Sequence, residues 1–507
     1  MLCEFVQELR KLRKLSMESV ENTTSFDMFK QYMHVRRPVE DELRDMLVHV
    51  NSTNHKALIL LCGSAGDGKS HLLSYLGNAD SEHLLNSFEL YNDATESSAP
   101  SLTSIDTLAV KLSAFDDQHI LEDDGSRMVL AINLGTLNNF IESEKGGNFS
   151  LLKKYVEENE IFSSYVRPNA YQEGSVFQHV SFSDYQIFTL CEDGVRTTYL
   201  EELLNKIFDQ SQGNPFFKAY QTNSTCTLCQ KCPLRHNFEF LFNPVHRKGI
   251  INKIVEVVIK DKAIVSTRDV LNLVYDLLVH PEFSYETFCH VGTSETQYLT
   301  EYIRCTTPML MYELDDVSPL LNAIRRHDIL KDRQSELDLD VTRFHSLENI
   351  YETFQIATAN TPYEHLNETT RIAVLGGIKP VLKTLVYRFI VRTKEMKGES
   401  PESSSQKQFF EYIQYLYYQN SGNERKLSKL YEATKKAVMN WDGQFDSDTI
   451  CIDDSNDKFW VLEQLQIKPS LYKAQPPTSG EIQRFSPTLK LRFKKSSDVV
   501  SDAAEIS

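Results

Sequence analysis

The run Gly63-Ser64-Ala65-Gly66-Asp67-Gly68-Lys69-Ser70 satisfies the pattern G-x-x-x-x-G-K-[ST] in full, and His71 follows it. These residue types at this spacing suit one chemistry, the holding of a polyphosphate. Glycines let successive backbone N–H groups turn inward around a phosphate, and a following helix adds the positive end of its dipole. The Lys69 ammonium would then bridge the β- and γ-phosphates of ATP, and the Ser70 hydroxyl would ligate Mg²⁺. Residues 63–71 are therefore the expected nucleotide-binding set.

Hydrolysis needs a further polar group that orients the magnesium or the attacking water, and two strand ends compete for it. Phe88-Glu89-Leu90-Tyr91-Asn92-Asp93 ends in Asp93, with Glu96 three residues on. Arg127-Met128-Val129-Leu130-Ala131-Ile132-Asn133 ends in Asn133, a residue type that AAA-type ATPases use at such a strand tip to sense the γ-phosphate or position water. Asn and Asp also favour turns after strands, so each has a purely conformational alternative. Arg268 stands in the first turn of a helix capped by Ser266 or Thr267. There it could reach a γ-phosphate from an AAA-like lid, or simply pair with Asp269 in solvent. The expected catalytic set is Lys69, Asp93, Asn133 and Arg268.

A second constellation is Cys226-x2-Cys229-x2-Cys232-x3-His236, set among Gln, Asn, Ser and Pro. Three thiolates and an imidazole make a tetrahedral Cys3His zinc site, with Cys191 as a reserve ligand. The spacing also resembles the start of an iron-sulfur run, with His236 where a fourth cysteine would stand. Unliganded thiols are the remaining alternative.

Elements must exist to position these groups. Ala57-Leu58-Ile59-Leu60-Leu61-Cys62 is a short continuous apolar run ending at the glycine turn, as expected of a strand buried on both faces of a parallel sheet. Further strands are expected at 88–91, 128–132 and 176–182, with helices from 69 to about 76, at 104–115 and at 137–142. Strands alternating with helices imply an α/β domain. Beyond about 250 the pattern favours helix at 250–259, 267–279, 319–327 and 372–397, and short strand-like runs at 449–452, 459–462 and 489–493 form a small terminal β element. The expected fold is a P-loop NTPase domain of AAA-like type with a helical second half. Its divisions are a helical segment at 1–56, the P-loop domain at 57–265, a lid-like helical region at 266–370 and a helical terminal domain at 371–507. The tail beyond 495 is expected to fray.

The 507 residues carry 54 Lys and Arg against 71 Asp and Glu, a net charge of −17, which excludes a uniformly basic protein that coats nucleic acid. No apolar run is long enough to span a bilayer, so no membrane partner is expected. The odd count of 9 cysteines, crowded near 226–232, fits a reducing cytoplasmic compartment better than a disulfide framework. Between Arg371 and Lys436, however, thirteen basic residues face six glutamates, a local excess of +7. Arg388, Arg392, Lys394 and Lys397, then Arg425, Lys426, Lys429, Lys435 and Lys436, could meet DNA phosphates, with Tyr412, Tyr415, Tyr417 and Tyr418 as aromatic faces. A solvated helix face over core tyrosines, or an interface to an acidic protein, accounts for the same charges.

The chain resembles the DptF family, the ATPase-like subunits of DNA-phosphorothioation-dependent restriction systems in bacteria. The resemblance rests on Ser19-Val20-Glu21-Asn22, on Phe29-Lys30-Gln31-Tyr32-Met33-His34-Val35-Arg36-Arg37-Pro38-Val39-Glu40, and on Leu61-Cys62-Gly63 through Gly66-Asp67-Gly68-Lys69-Ser70-His71-Leu72-Leu73. Asn92-Asp93-Ala94-Thr95-Glu96-Ser97, Ala131-Ile132-Asn133-Leu134-Gly135 and the Cys226 to Cys232 cluster continue it. It covers about the first 280 residues well and the rest loosely. It implies ATP hydrolysis coupled to restriction of unmodified double-stranded DNA, within a complex of other subunits and with a homo-oligomeric state open. No nuclease signature and no set of residues suited to reading a phosphorothioate stand out. The rival expectation is an AAA-like regulatory or assembly ATPase that touches only protein, and a small-molecule kinase is a weaker third.

Overall fold

The computed structural model describes residues 3–18, 28–53, 55–64, 66–78, 81–92, 103–122, 124–162, 171–222, 231–281, 294–314, 318–331, 344, 350–400, 404–440, 449–456, 459–464, 467–470, 480–495 and 504–506. They fall into two compact units, Met1–Ile187 with Thr197–Pro401, and Phe188–Arg196 with Glu402–Ser507.

The first unit begins with helices α1 (Glu4–Glu18), α2 (Met28–Met33) and α3 (Pro38–Asn51). Pro38 at the first helical position pre-sets the backbone of α3, and Val39, Leu43, Met46, Leu47 and Val50 form its buried stripe. The sheet follows. Strand β1 (Ala57–Cys62) is buried at every position, as its unbroken apolar run requires. It lies between β3 (Arg127–Ile132) and β4 (Phe177–Ser181), with β2 (Glu89–Tyr91) outside β3, and all the pairings are parallel.

Alternation along β1 sends Leu58, Leu60 and Cys62 to one face and Ile59 and Leu61 to the other. The first face is covered by α5 (Ser104–Lys111), α6 (Leu134–Ile141) and α7 (Ser150–Glu158) through Leu108, Leu137, Phe140 and Leu152. The second is covered by α3 and by α4 (Lys69–Asn78) through Leu43, Leu47, Leu72 and Leu76. A parallel sheet with helices on both faces is the α/β arrangement that the alternating pattern implies.

Helices then dominate. They are α8 (Thr198–Phe208), α9 (Pro215–Thr222), α10 (Pro233–Phe240), α11 (Pro244–Lys260) and α12 (Thr267–Leu278). After them come α13 (Glu295–Arg304), α14 (Thr307–Glu313), α15 (Pro319–Ile324) and α16 (Ile350–Thr358). Helix α1 packs against α12, where Arg13 pairs with the buried Asp276 and lies over the Tyr275 ring.

The helix expected at 372–397 is two helices, α17 (Leu366–Leu375) and α18 (Pro380–Met396). Gly376 and Gly377, the latter at φ +79°, end the first, and Pro380 opens the second; glycine alone takes that backbone cheaply, and proline cannot continue a helix.

In the second unit, α19 (Ser404–Asn420) and α20 (Glu424–Met439) pack against one another. Strand β5 (Tyr185–Cys191) and β6 (Gly194–Arg196) form a hairpin that the sequence reading passes over. Its signal is Glu192-Asp193-Gly194, a short polar turn with Gly194 at φ +137°. β5 also pairs with β10 (Ile482–Arg484). The terminal β element is present as β7 (Thr449–Asn456) with β8 (Phe459–Gln464), and as β9 (Ile467–Pro469) with β11 (Leu491–Lys495). Of the tail beyond 495, Ala504–Ile506 form β12, which pairs antiparallel with β11; 496–503 lie outside the described residues. Leu491 and Phe493 bury against Leu427 and Tyr431 of α20, which gives the strand a side to hold the pairing in register.

Candidate functional site

The P-loop occupies the carboxyl edge of the parallel sheet, where open α/β sheets present their ligand crevice. It leaves β1 at Cys62 and enters α4 at Lys69, so the motif has the strand–loop–helix setting its chemistry needs. Gly66 and Gly68 take φ of +88° and +100°, conformations that L side chains rarely adopt. A Cβ on Gly66 would stand 3.0 Å from Ser266 Oγ and 3.3 Å from Arg268 Nε. The start of α12 is thus pressed against the loop, which brings Arg268 to the P-loop from 200 residues away. Ser266 and Asp269 make a reciprocal capping box, so the Asp269 carboxylate is engaged by the Ser266 backbone N–H at 2.9 Å.

Lys69 Nζ donates to the carbonyls of Gly63 at 3.0 Å and Ser64 at 2.8 Å. Ser64 N donates to Asp67 Oδ2 at 2.5 Å. Burial pushes the Asp67 carboxyl up, against the opposing pull of Lys69, the Ser64 N–H and Arg37. Ser70 is the second residue of α4. Ala65 lies outside the described residues, as do Asp93 and Glu96.

Asn133 follows β3, and the pairing of Ile132 with Cys62 sets it level with Gly63 on the neighbouring strand. Its Oδ1 accepts from Thr136 N at 2.6 Å and caps α6. The Nδ2 group has no acceptor among the described residues. The oxygen end of the amide is thus used to cap α6.

A cleft opens beside the loop, lined by Met33, His34, Val39, Leu203 and Leu271 as well as by Gly66, Asp67 and Gly68. Its apolar walls come from the α2–α3 connection, α8 and α12. Its polar groups are tied to one another. Glu40, 2% exposed, accepts from His34 Nε2 at 3.1 Å and from Arg44 Nε at 3.0 Å. Burial raises its pKa, but His34 and Arg44 outweigh that and hold the carboxyl below its usual range. His34 Nδ1 meets His71 Nε2 at 3.2 Å, and burial together with His34 lowers His71 to about 4, so His71 is neutral.

Arg37, Tyr199 and Asp184 were not singled out from the sequence. Arg37 Nη1 donates to the Asp67 carbonyl at 3.0 Å, with its guanidinium 5.2 Å from the Phe182 ring centroid and 5.0 Å from that of Tyr199. Tyr199 bonds Thr267 at 2.7 Å, joining α8 to the cap of α12. Nothing local in the sequence marks these contacts, since the partners are far apart along the chain. Asp184 is different. It follows β4, whose Ser181 pairs with Cys62, and its charge and that of Lys69 act in opposite senses on the buried Cys62 thiol, which burial pushes up to about 12. The rule that ligands gather at the carboxyl edge could have found it.

Of the metal set, Cys226 and Cys229 lie outside the described residues. Cys232 and His236 are buried at the start of α10. His236 Nδ1 shares a hydrogen bond with the Tyr302 hydroxyl, and burial lowers its pKa to about 3. Cys191 ends β5 in the second unit. Among the described residues no group of three or more His, Cys, Asp or Glu could hold a metal.

The basic run divides. Arg392, 4% exposed, pairs with Asp328 at 2.7 Å and Glu313 at 2.8 Å; Arg388 pairs with Glu313; Arg371 pairs with Glu368; Lys397 pairs with Glu399. These cations serve the first unit internally. In α20 of the second unit, Arg425, Lys426, Lys429 and Lys436 are exposed, and none has a carboxylate partner among the described residues. The tyrosines are half-buried: Tyr412 OH accepts from Leu489 N, Tyr417 OH donates to Gly480 O, and Tyr415 and Tyr418 pack on the α20–β11 core.

No helix among the described residues is long and apolar enough to cross a membrane. No family model matches this sequence, and neither a curated protein nor a solved structure matches it.

Proposed function

We propose that this chain is an ATP-binding, ATP-hydrolysing subunit of AAA-like type, acting within a complex that restricts DNA lacking phosphorothioate modification. The observation that carries the reading is the complete P-loop between a buried parallel strand and a helix, with the capped start of α12 closing on Gly66. In this reading Mg²⁺ supplies charge neutralisation on the phosphates when bound, with Ser70 as its protein ligand. The residues present fit the phosphates: a turn of positive-φ glycines, a lysine, and an arginine brought in from α12, with the Ser70 hydroxyl left to the metal. Lys69 and Arg268 hold the triphosphate, and the Asn133 amide orients water.

The DNA and partner assignments rest on the sequence resemblance. A structural zinc held by the 226–236 cluster belongs to the same reading, with Cys232 and His236 as two of its ligands.

The test is ATP turnover by the purified chain, with and without duplex DNA, and then with the products of its neighbouring genes. DNA-stimulated turnover that falls at least tenfold in Asn133→Ala, with ATP binding retained, is the expected result. Turnover indifferent to DNA in every assembly points to the regulatory ATPase that meets only protein.

The exposed α20 cations give a separate expectation. Replacing Arg425, Lys426 and Lys429 by glutamate should weaken DNA association by the assembled complex. It should also reduce the slope of log affinity against log salt by roughly 2 to 3, because each lost phosphate contact releases about one counterion fewer. An unchanged slope together with loss of a co-purifying subunit makes the face a protein interface.

A further inference from the structure

Two of the groups that the P-loop offers to a phosphate, the Ser64 N–H and the Lys69 ammonium, are engaged within the loop. Ser64 N–H points to Asp67 Oδ2, and that oxygen lies 2.8 Å from where a Cβ on Gly63 would stand. The carboxylate is therefore folded into the concave side of the turn, where the motif places a phosphate oxygen. The Lys69 ammonium is folded back in the same way, onto the carbonyls of Gly63 and Ser64. An anion already in an anion-binding turn competes with any other anion for the same N–H, and it repels the newcomer's charge.

A displaced carboxylate needs a new partner. Arg37 is the cation placed to receive it. Its Nη1 already bonds the carbonyl of Asp67, and its guanidinium lies near both the Phe182 and Tyr199 rings, so the fork is held beside the loop. Arg268 also stands against Gly66, but on the side of α12, where a γ-phosphate would draw it.

We propose that Asp67 is an internal competitor for the nucleotide phosphates, and that Arg37 is the positioning residue that takes over its carboxylate when a phosphate enters the turn. This deepens the nucleotide-binding reading and rests on it. Nucleotide affinity is then set by an exchange, in which Asp67 leaves Ser64 N–H for the Arg37 guanidinium while a phosphate oxygen takes the N–H. The loop stays hydrogen-bonded throughout, and the cost of admitting the ligand depends on how well Arg37 stabilises the displaced carboxylate.

The experiment is equilibrium binding of a fluorescent ADP analogue to the full chain as wild type, Asp67→Asn, Asp67→Ser, Arg37→Leu, the Asp67→Asn/Arg37→Leu double variant and Lys69→Ala, with folding checked by thermal unfolding. Both Asp67 variants should bind roughly tenfold tighter than wild type, the scale of one charge-assisted hydrogen bond. A gain in affinity is not what a merely damaged loop gives. Arg37→Leu should weaken binding in the wild-type background and have little effect once Asp67 is Asn, the non-additivity expected of residues that act together.

If wild type binds, Lys69→Ala does not, and neither Asp67 variant binds tighter, the competitor role is overturned while the nucleotide site stands. If Arg37→Leu weakens both backgrounds equally, Arg37 touches the phosphates directly and the exchange is overturned. If wild type binds no better than Lys69→Ala, the nucleotide reading fails and the competitor fails with it.

Discussion

Lys69→Ala is expected to lose tight ATP binding by roughly a hundredfold or more, because charge-assisted hydrogen bonds to phosphate contribute ~1.5–3 kcal/mol each and the ammonium is shared between two phosphates. The fold should survive. Lys69 bonds the carbonyls of Gly63 and Ser64, inside the loop, whereas the core that holds β1 is built from Leu58, Leu60, Ile59 and Leu61 and does not involve its side chain. The thermal midpoint should therefore stay near that of the wild type while the binding isotherm flattens. A folded variant that binds ATP as tightly as the wild type removes the P-loop from the nucleotide site altogether.

The largest effect on stability is expected at Asn237, which is fully buried in α10 and uses its whole amide. Nδ2 donates to Leu278 O at 3.1 Å and Cys305 O at 2.7 Å; Oδ1 accepts from Thr307 N and Tyr363 OH, both at 2.9 Å. One side chain thus ties α10 to the end of α12, to the turn between α13 and α14, and to the 362–365 turn before α17. Leucine is similar in size but leaves a buried N–H and a buried hydroxyl without a partner, beside two carbonyls that lose one. Asn237→Leu should cost roughly 3–5 kcal/mol, since each buried group left unmet costs about 1–3 kcal/mol and the four bonds support one another. Urea unfolding followed by tyrosine fluorescence would register this as a lower midpoint with an unchanged slope. A loss below about 1 kcal/mol would mean that the helices hold together without the amide.

The two predictions probe different kinds of information in the chain. The P-loop was legible from residue types because its chemistry is local: eight consecutive residues carry the glycines, the lysine and the hydroxyl, and an apolar run before them announces the buried strand. Strands β1 to β4 were legible for the same reason, as was the capped start of α12, where Ser266 and Asp269 sit three residues apart.

The break between α17 and α18 was equally local and could have been read from Gly376, Gly377 and Pro380. The same holds for the β5–β6 hairpin and Asp193-Gly194.

What joins distant segments was not legible. Hydrophobic periodicity shows that α12 has a buried face, but not that Gly66 would leave room for Ser266 and Arg268. Arg37 reads as a charged residue before a proline until the fold sets Phe182, Tyr199 and the Asp67 carbonyl around it. Asn237 reads as a polar residue in an amphipathic helix until four partners from other segments converge on it.

Charge shows the same division. The excess between Arg371 and Lys436 is a property of composition, but whether a cation faces an acid or solvent depends on which helices pack together. Arg392 found Asp328 and Glu313, while Arg425 and Lys429 found no acid among the described residues. Short-range pattern determined the elements and the glycine turn between β1 and α4. Tertiary packing decided which side chains reach that turn, because burial and pairing depend on neighbours brought together only when the apolar faces close.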